Sequence, residues 1–401
     1  MFLLYCILFF NFFSCNAIQN VTQTTIVNNQ LSTTPTDISF LSADIKISKN
    51  EFKFCEIEDA VYNAIRKAQF KPTGQKDTSH FFYLPDWQSF FSFLQSFNVP
   101  IWYVGYKPNN KNFNDKTLVH TGIKYCKNLQ ELNKDYCFKC LISQKQSTYG
   151  GIIIYREVKQ SNHRDSLTYH QFKLHYPQFL YVNNIARNFV TNKEILYSLF
   201  NYATLEHFLP TFGVYSKKYS TTLIHQILRE IASEYLIIKP LNAIKSDGII
   251  MISRNNLDQT LKQILLHHTN KQYIPSFDYW TNNHDNSFIV MEYAPSTTLT
   301  YKNKYFDPTL RISFILYHTD NKIIIYLLRC FWRIPPQDLA SSSSLTEQHI
   351  STPRIVDESL SGIFVDLKDI IFINEALPPI LAQLYASMLK LGNIPYPWKL
   401  P

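Results

Sequence analysis

From Phe179 to Arg333 the sequence alternates segments of helical period with segments of strand period, and that order constrains the fold more than any other feature. Ile195, Leu196, Leu199, Phe200 and Ala203 make a helical stripe. It is opened by Thr191-Asn192-Lys193-Glu194, where the Thr191 hydroxyl is expected to cap the helix and Glu194 to reach back. Ile224, Ile227, Leu228 and Ile231 mark a second helix. Tyr235 to Pro240 reads as a buried strand ending in Lys239, and Gly248 to Ile252 as a strand beyond a turn over 241–247. Asn256 is expected to cap a third helix with Leu257, Leu261, Ile264 and Leu265 on one face. Ser287 to Tyr293 reads as a strand ending in an acid. Two long strands, Thr309 to His318 and Lys322 to Arg333, meet at Asp320-Asn321, a hairpin-type pair. Upstream, the spacing of Ile57, Ala60, Val61, Ile65 and Ala68 predicts a helix from Glu56 onward. Residues 86–105 read as helix then strand, and Gly151 to Tyr155 as a short strand. The fold class is α/β.

Met1 to Ala17 is apolar apart from Asn11, Ser14 and Asn16, too short for a comfortable membrane span of about 20 residues. It has the form of a secretory h-region with Ala17 at a cleavage position, but no basic residue precedes it. The segment therefore points to export, and a membrane partner is expected only if it is retained. Gln19 to Thr36, rich in Asn, Thr and Ser, reads as a linker. Of seven cysteines, Cys6 and Cys15 fall in the apolar segment, leaving Cys55, Cys126, Cys137, Cys140 and Cys330. Cys137-Phe138-Lys139-Cys140 is a C-x-x-C without a second close pair, so free thiols, a disulfide and a metal site all stay open. The net charge of +8 is spread along the chain rather than gathered into a stripe, which argues against nucleic acid as a partner. No Gly-x-Ser-x-Gly elbow and no Walker loop occurs.

The order of elements places chemistry-bearing side chains at strand ends. Lys239 stands at a strand terminus beside a turn whose backbone N–H groups can face phosphates. The strand ending at Glu292 exits through Tyr293-Ala294-Pro295-Ser296, where exposed backbone can pair with an adenine edge. Arg311 and Arg333 lie on the next two strands, suited to bidentate contact with a phosphate or carboxylate.

This ordered set resembles the ATP-grasp superfamily of ATP-dependent carboxylate–amine ligases over about residues 180–390. Asn192-Lys193 followed by Leu209-Pro210-Thr211 is similar to the family's opening helix, with Lys193 as its first phosphate-binding lysine. Ile238-Lys239-Pro240 is similar to the strand bearing the second lysine, and Ser246-Asp247-Gly248-Ile249 to the small-residue phosphate loop, here with one glycine. Val290-Met291-Glu292-Tyr293-Ala294 resembles the adenine hinge. Asp307-Pro308-Thr309-Leu310-Arg311 and Phe331-Trp332-Arg333 resemble the arginine-bearing strands.

The resemblance implies a two-lobed ATP-grasp module preceded by a smaller, divergent α/β domain. It implies ATP and Mg²⁺ as cofactors, a small-molecule or peptide carboxylate as substrate, an amine acceptor, and an acyl-phosphate route. Lys193, Lys239, Gly248, Glu292, Tyr293 and Ala294 would bind nucleotide, and Arg311 and Arg333 would neutralise the reacting group. For the metal, Asp366 and Glu375 stand in the corresponding region. Val365-Asp366-Leu367-Lys368 reads equally as a helix N-cap, and Glu347 and His349 are alternatives. A helix through Ile380, Leu381, Leu384 and Met388, kinked at Pro378-Pro379, follows. A catalytically inactive binding or secreted effector protein on the same fold is the alternative function. ATP dependence places the site of action in a cytoplasm, the chain's own or a host's, whereas the amino terminus points outward. The expected division is a signal-like segment (1–17), a linker (18–50), an N-terminal α/β domain (51–185) and an ATP-grasp-like domain (186–395).

Overall fold

In a computed structural model of the chain the described residues are 37–49, 51–61, 86–105, 122–143, 150–156, 164–242, 246–266, 275–319, 322–351, 361–363 and 365–392. The apolar segment 1–17, the linker up to Thr36, Ile65, Ala68 and the Asp320-Asn321 turn lie outside them.

In chain order the elements are β1 (Asp37–Ser48), β2 (Glu51–Asp59), α1 (Asp86–Gln95), β3 (Ile101–Gly105), β4 (Ile123–Cys126), α2 (Leu129–Leu132), α3 (Tyr136–Ser143), β5 (Gly151–Arg156), α4 (Arg164–His175) and β6 (Phe179–Tyr181). There follow α5 (Arg187–Val190), α6 (Lys193–Tyr202), β7 (Phe212–Ser216), α7 (Thr221–Glu230), β8 (Tyr235–Pro240), β9 (Ile250–Ser253), α8 (Leu257–Leu265), α9 (Pro275–Asn282) and β10 (Ser287–Glu292). The chain closes with β11 (Leu299–Tyr301), β12 (Lys304–Phe306), β13 (Thr309–Thr319), β14 (Lys322–Arg333), α10 (Leu345–His349), β15 (Ser361–Ile363) and α11 (Leu367–Gly392).

The molecule is mixed α/β, as the alternation of periods indicates. Strands β4-β3-β5-β6 form a parallel sheet, with α2 and α3 between β4 and β5 and α4 between β5 and β6 supplying crossovers of the kind parallel pairing requires. Strands β7-β10-β8-β9 form an antiparallel sheet, β15-β14-β13-β1-β2 a second one, and β11-β12 a ribbon.

Several local expectations change. Residues 37–48 do not continue the linker: they form β1, paired on both sides inside the second antiparallel sheet. The hydroxyl- and amide-rich composition before Thr36 breaks down here, because Leu41, Ala43, Ile45 and Ile47 alternate with Ser42, Asp44 and Lys46. Glu56 to Asp59 is strand, not helix start: β2 runs to Asp59 because β1 offers its backbone groups as partners, with a bulge between Asp44 and Ile45. The 51–185 and 186–395 division is thereby crossed, since β1 and β2 share a sheet with β13 and β14. At α6 the cap is Asn192, whose side chain accepts from the Glu194 and Ile195 N–H groups, while the Thr191 hydroxyl donates back to the Arg187 carbonyl. Asn256 makes no side-chain cap; it closes a short 3₁₀ turn, and α8 starts after it.

The parallel sheet is fastened to the second antiparallel sheet at one point. Ile38 bridges Val182, and Asn183 stands in the left-handed region at φ 57°. Its side chain pairs with Phe40 as a strand would, accepting from the Phe40 N–H at 2.5 Å and donating to its carbonyl at 3.0 Å. Asparagine tolerates that backbone and carries both polar groups.

Helix α11 is long and apolar enough by composition to cross a membrane, yet half of its apolar window is buried. Leu377, Leu381, Tyr385, Met388 and Leu389 are fully covered, and the helix packs on β13, β14 and α6 as a core element. It runs unbroken through Pro378 and Pro379.

Side-chain parity places the site. On β1, Leu41, Ala43, Ile45 and Ile47 join the α11 core, whereas Ile38 and Phe40 pack under the parallel sheet. On β13, Leu310, Ile312, Phe314 and Leu316 face α11, and Ile315 and Tyr317 face the parallel-sheet domain. What remains uncovered by either is the polar end of the sheet: Asp44, Lys46, Thr309 and Arg311. A bulge opposite Ser313 and Phe314 shifts β14 so that Arg333 joins that face. On β8, Leu236 and Ile238 enter the core formed with α7 and α8, so Ile237 and Lys239 point the other way.

Candidate functional site

The polar end of the five-stranded sheet and the inner face of the β7-β10-β8-β9 sheet line one cleft. Asp44, Lys46, Cys55, Glu56, Thr309 and Arg333 come from the first sheet; Ile237, Lys239, Met291 and Glu292 from the second. Tyr293 and Ala294 form the exit of β10, and Pro210, Ser246 and Ile249 border the opening. His349, Ile350 and Ser351 close it from the end of α10.

Lys239, Glu292, Tyr293, Ala294 and Arg333 are thus brought together. Lys239 is only 5% exposed. Its ammonium donates to the Cys55 carbonyl at 3.3 Å, and no carboxylate lies within ion-pair distance of it among the described residues. A buried ammonium with one long hydrogen bond is costly unless an anion completes it. Lys193, 6% exposed, sits at the start of α6 and pairs with Glu56 at 3.1 Å, so it reaches the cleft through that carboxylate.

The β10 exit differs in detail from the expected hinge. The Glu292 N–H donates to the Thr211 carbonyl and the Tyr293 N–H to the Tyr235 carbonyl. The Glu292 carboxylate accepts from the Thr211 N–H at 2.8 Å. Both amides are therefore engaged within the protein.

Gly248 lies just behind the lining residues at φ +73°, and its carbonyl accepts from the Trp280 indole N–H. A Cβ there would meet Tyr279 Cδ1 at 2.7 Å and Pro240 Cγ at 2.8 Å. Gly248→Ala is expected to lower stability by about 1–2 kcal/mol through the left-handed backbone, read as a shifted urea midpoint with unchanged slope.

The arginines are already engaged. Arg311 donates from Nε and Nη2 to the two carboxylate oxygens of Asp44 at 2.6 and 2.7 Å, and its Nη1 lies 2.7 Å from Glu58. Arg333 donates to Asp44 at 2.9 Å and to the Ser351 carbonyl at 3.0 Å. Burial would raise the Asp44 carboxyl, but Arg311 and then Arg333 outweigh it and bring it down to about 2. Arg311 stands behind Asp44, outside the lining.

The proposed magnesium acids do not converge. Asp366 is exposed just ahead of α11, and Glu375 is exposed within that helix; neither lines the cleft. Among the described residues no three His, Cys, Asp or Glu side chains are placed to hold a metal ion. The residues around Lys239 therefore suit a phosphate-bearing ligand, and no magnesium site is formed among the described residues. Among the described residues no disulfide is formed between Cys55, Cys126, Cys137, Cys140 and Cys330.

Asp44, Lys46, Glu56 and Asp307 were not among the expected site residues. Lys46 pairs with Asp307 at 2.6 Å. The sequence signal for Asp44 and Lys46 was their alternation with buried Ala43, Ile45 and Ile47; what it lacked was the partner strand.

No protein family model matches the sequence, and no curated protein matches it. Among solved structures, the chain is similar to the crystal structure of D-cycloserine synthetase DcsG, at 9% identity and TM-score 0.34, over 73% of this chain and 82% of that one. It is also similar to N5-carboxyaminoimidazole synthetase from Staphylococcus aureus complexed with ADP, at 11% identity and TM-score 0.29, over 67% of this chain and 78% of that one. Both neighbours are ATP-grasp enzymes.

Proposed function

We propose that this chain is an ATP-dependent carboxylate–amine ligase of the ATP-grasp kind, with its nucleotide in the cleft between the two antiparallel sheets. The observation that carries the reading is Lys239: a buried ammonium facing the cleft with a single long contact to a carbonyl. A phosphate oxygen supplies the charge and the hydrogen bonds it lacks. ATP, when bound, supplies the phosphoryl group that activates a carboxylate. The chain's own part is to seat the phosphates on Lys239 with Lys193 behind Glu56, hold the base against Ala294, and exclude water with the apolar wall of Ile237, Ile249 and Met291. Arg311 and Arg333 act through Asp44, setting the charge of the opposite wall.

The test is a thermal-shift titration with ATP. The native chain is expected to be stabilised by ATP, and Lys239→Met to bind it about 10–100-fold more weakly, the worth of one charge-assisted hydrogen bond. Unchanged affinity in Lys239→Met rejects the nucleotide site.

One observation favours the second reading, a binding or effector protein without turnover. The two arginines expected to stabilise the reacting group are taken up by Asp44 and Glu58, and no metal-holding trio accompanies them among the described residues. ATP-induced stabilisation without ADP release, across pooled carboxylates and amines with magnesium present, selects it.

A further inference from the structure

The cleft wall made by α10 carries a group that the nucleotide reading leaves unused. Asp307, at the start of β13, is 3% exposed, and its Oδ2 atom gathers three donors. They are Lys46 Nζ at 2.6 Å, the Tyr293 hydroxyl at 2.6 Å and His349 Nδ1 at 3.1 Å. The other oxygen, Oδ1, accepts from the Ser296 N–H at 2.9 Å. His349 Nδ1 also lies 2.9 Å from the Tyr293 oxygen.

These contacts decide the tautomer. Burial alone would raise the Asp307 carboxyl, but Lys46, with the hydrogen bonds from His349 and Tyr293, holds it below the usual carboxylate range. An ionised carboxylate only accepts, so the imidazole proton belongs on Nδ1. The lone pair is then on Nε2. His349 lines the cleft, and among the described residues its hydrogen bonds are made from Nδ1 alone. A purely structural tie between β10, β13 and α10 would need one imidazole nitrogen; the second is not engaged among the described residues, and the ring lines the cleft. The position is also braced: α10 opens with a complete Ser344–Glu347 capping box, which fixes the turn that delivers His349. The titratable groups around the ring among the described residues are Asp307, Lys46 and the neutral Tyr293 hydroxyl, with Glu347 spent in the capping box and Arg333 held on the carbonyl of Ser351, two residues beyond His349.

We propose that His349, oriented by Asp307, is the base that deprotonates an ammonium acceptor entering the cleft. This rests on the ligase reading. The acceptor gives one proton to Nε2, and its freed electron pair forms the N–C bond to the activated carboxyl carbon. The C–O bond to phosphate breaks, and its pair leaves with the phosphate. The second proton passes from the new nitrogen to the departing phosphate, and the imidazolium returns its own to water.

Two measurements on the full chain test this. In the first, ¹⁵N-histidine labelling, with His349 assigned by its loss in His349→Gln, is expected to show an Nδ1–H ring with unprotonated Nε2 at pH 8. An Nε2–H ring overturns the proposal. In the second, ADP release is followed with pooled amino acids as carboxylate donors and either methylamine or hydroxylamine as acceptor. Methylamine is an ammonium at neutral pH and needs the base; hydroxylamine is already neutral. His349→Gln is expected to lose about 100-fold or more with methylamine, the usual range for general-base catalysis, and to be rescued by hydroxylamine. Asp307→Asn should move the same way, more weakly. Equal loss with both acceptors marks a structural role and overturns the proposal. The ATP thermal shift of His349→Gln reads the nucleotide site separately. Native protein that binds ATP but releases no ADP with either acceptor sinks the ligase reading and this proposal with it, whatever the tautomer.

Discussion

Asp44→Asn is expected to lower the unfolding free energy by about 3–5 kcal/mol, the usual cost of removing one partner from a buried ion-pair network. Asp44 receives three hydrogen bonds from two guanidinium groups, and its side chain and both arginines are largely buried. An amide cannot offset their charge. Arg311 would retain Glu58, and Arg333 only the Ser351 carbonyl, so the cost falls chiefly on Arg333. Urea unfolding at pH 7 measures it. The pH dependence has a definite sign. The Asp44 carboxyl is brought down to about 2 in the folded chain from an ordinary 3.8, so its stabilisation is complete above about pH 4 and is lost as pH falls toward 2. The gap between native and variant should stay constant from pH 7 to about 4 and narrow below that. A loss under about 1 kcal/mol at pH 7 would show that the arginines do not depend on this carboxylate. The same pair of chains also separates the two functional readings. If the arginines contact a reacting group only when released from Asp44, Asp44→Asn alters turnover more than ATP affinity.

The second large effect has the opposite sign. Asp37, at the start of β1, is 3% exposed; Tyr385 of α11 donates to it at 2.5 Å and Ser39 at 3.1 Å. Burial outweighs those hydrogen bonds and lifts the carboxyl to about 6 from 3.8. A raised acid means that the folded chain holds a proton the unfolded chain has released. Stability is therefore undiminished below about pH 4, falls as pH rises toward 6, and is lower by up to about 3 kcal/mol above that. Asp37→Asn imitates the protonated form and keeps an oxygen to accept from Tyr385. It is expected to be more stable than the native chain at pH 8 by up to about 3 kcal/mol, with the difference vanishing near pH 4. Melting temperatures across that range decide it; a variant less stable than native at pH 8 would mean that the ionised carboxylate is a net asset to the β1–α11 contact.

Lys239 and Glu292 were legible as strand-end residues because a strand needs only its own alternation and a terminating turn to be recognised. Lys239 shares a face with Ile237, and the pairing of Lys239 with Ile289 on β10 follows once the strands are in register. The acids failed for the opposite reason. Asp366 and Glu375 were placed only by the order of elements in the resembled family, whereas the sheet took its acids from the other end of the chain. Asp44 is 267 residues from Arg311 in sequence and directly opposite it across β1 and β13. His349 showed the same limit: its role depends on Asp307 and Tyr293, 42 and 56 residues away.

Local periodicity and turn chemistry therefore determined, unaided, the element types of α6, α7, β8, β9, α8, β10, β13 and β14, the strand ends that carry Lys239 and Glu292, and the apolar faces that bury α7, α8 and α11; β7, α9, β11 and β12 were not read from the sequence. These depend on side chains within one turn or one pleat of each other. Tertiary structure alone decided that β1 and β2 complete the sheet of β13 and β14, that Asp44 and Glu58 neutralise the arginines, and that His349 meets Asp307. Those outcomes turn on which distant strand satisfies an open edge of backbone donors and acceptors, and the free energy of that choice comes from contacts between segments hundreds of residues apart.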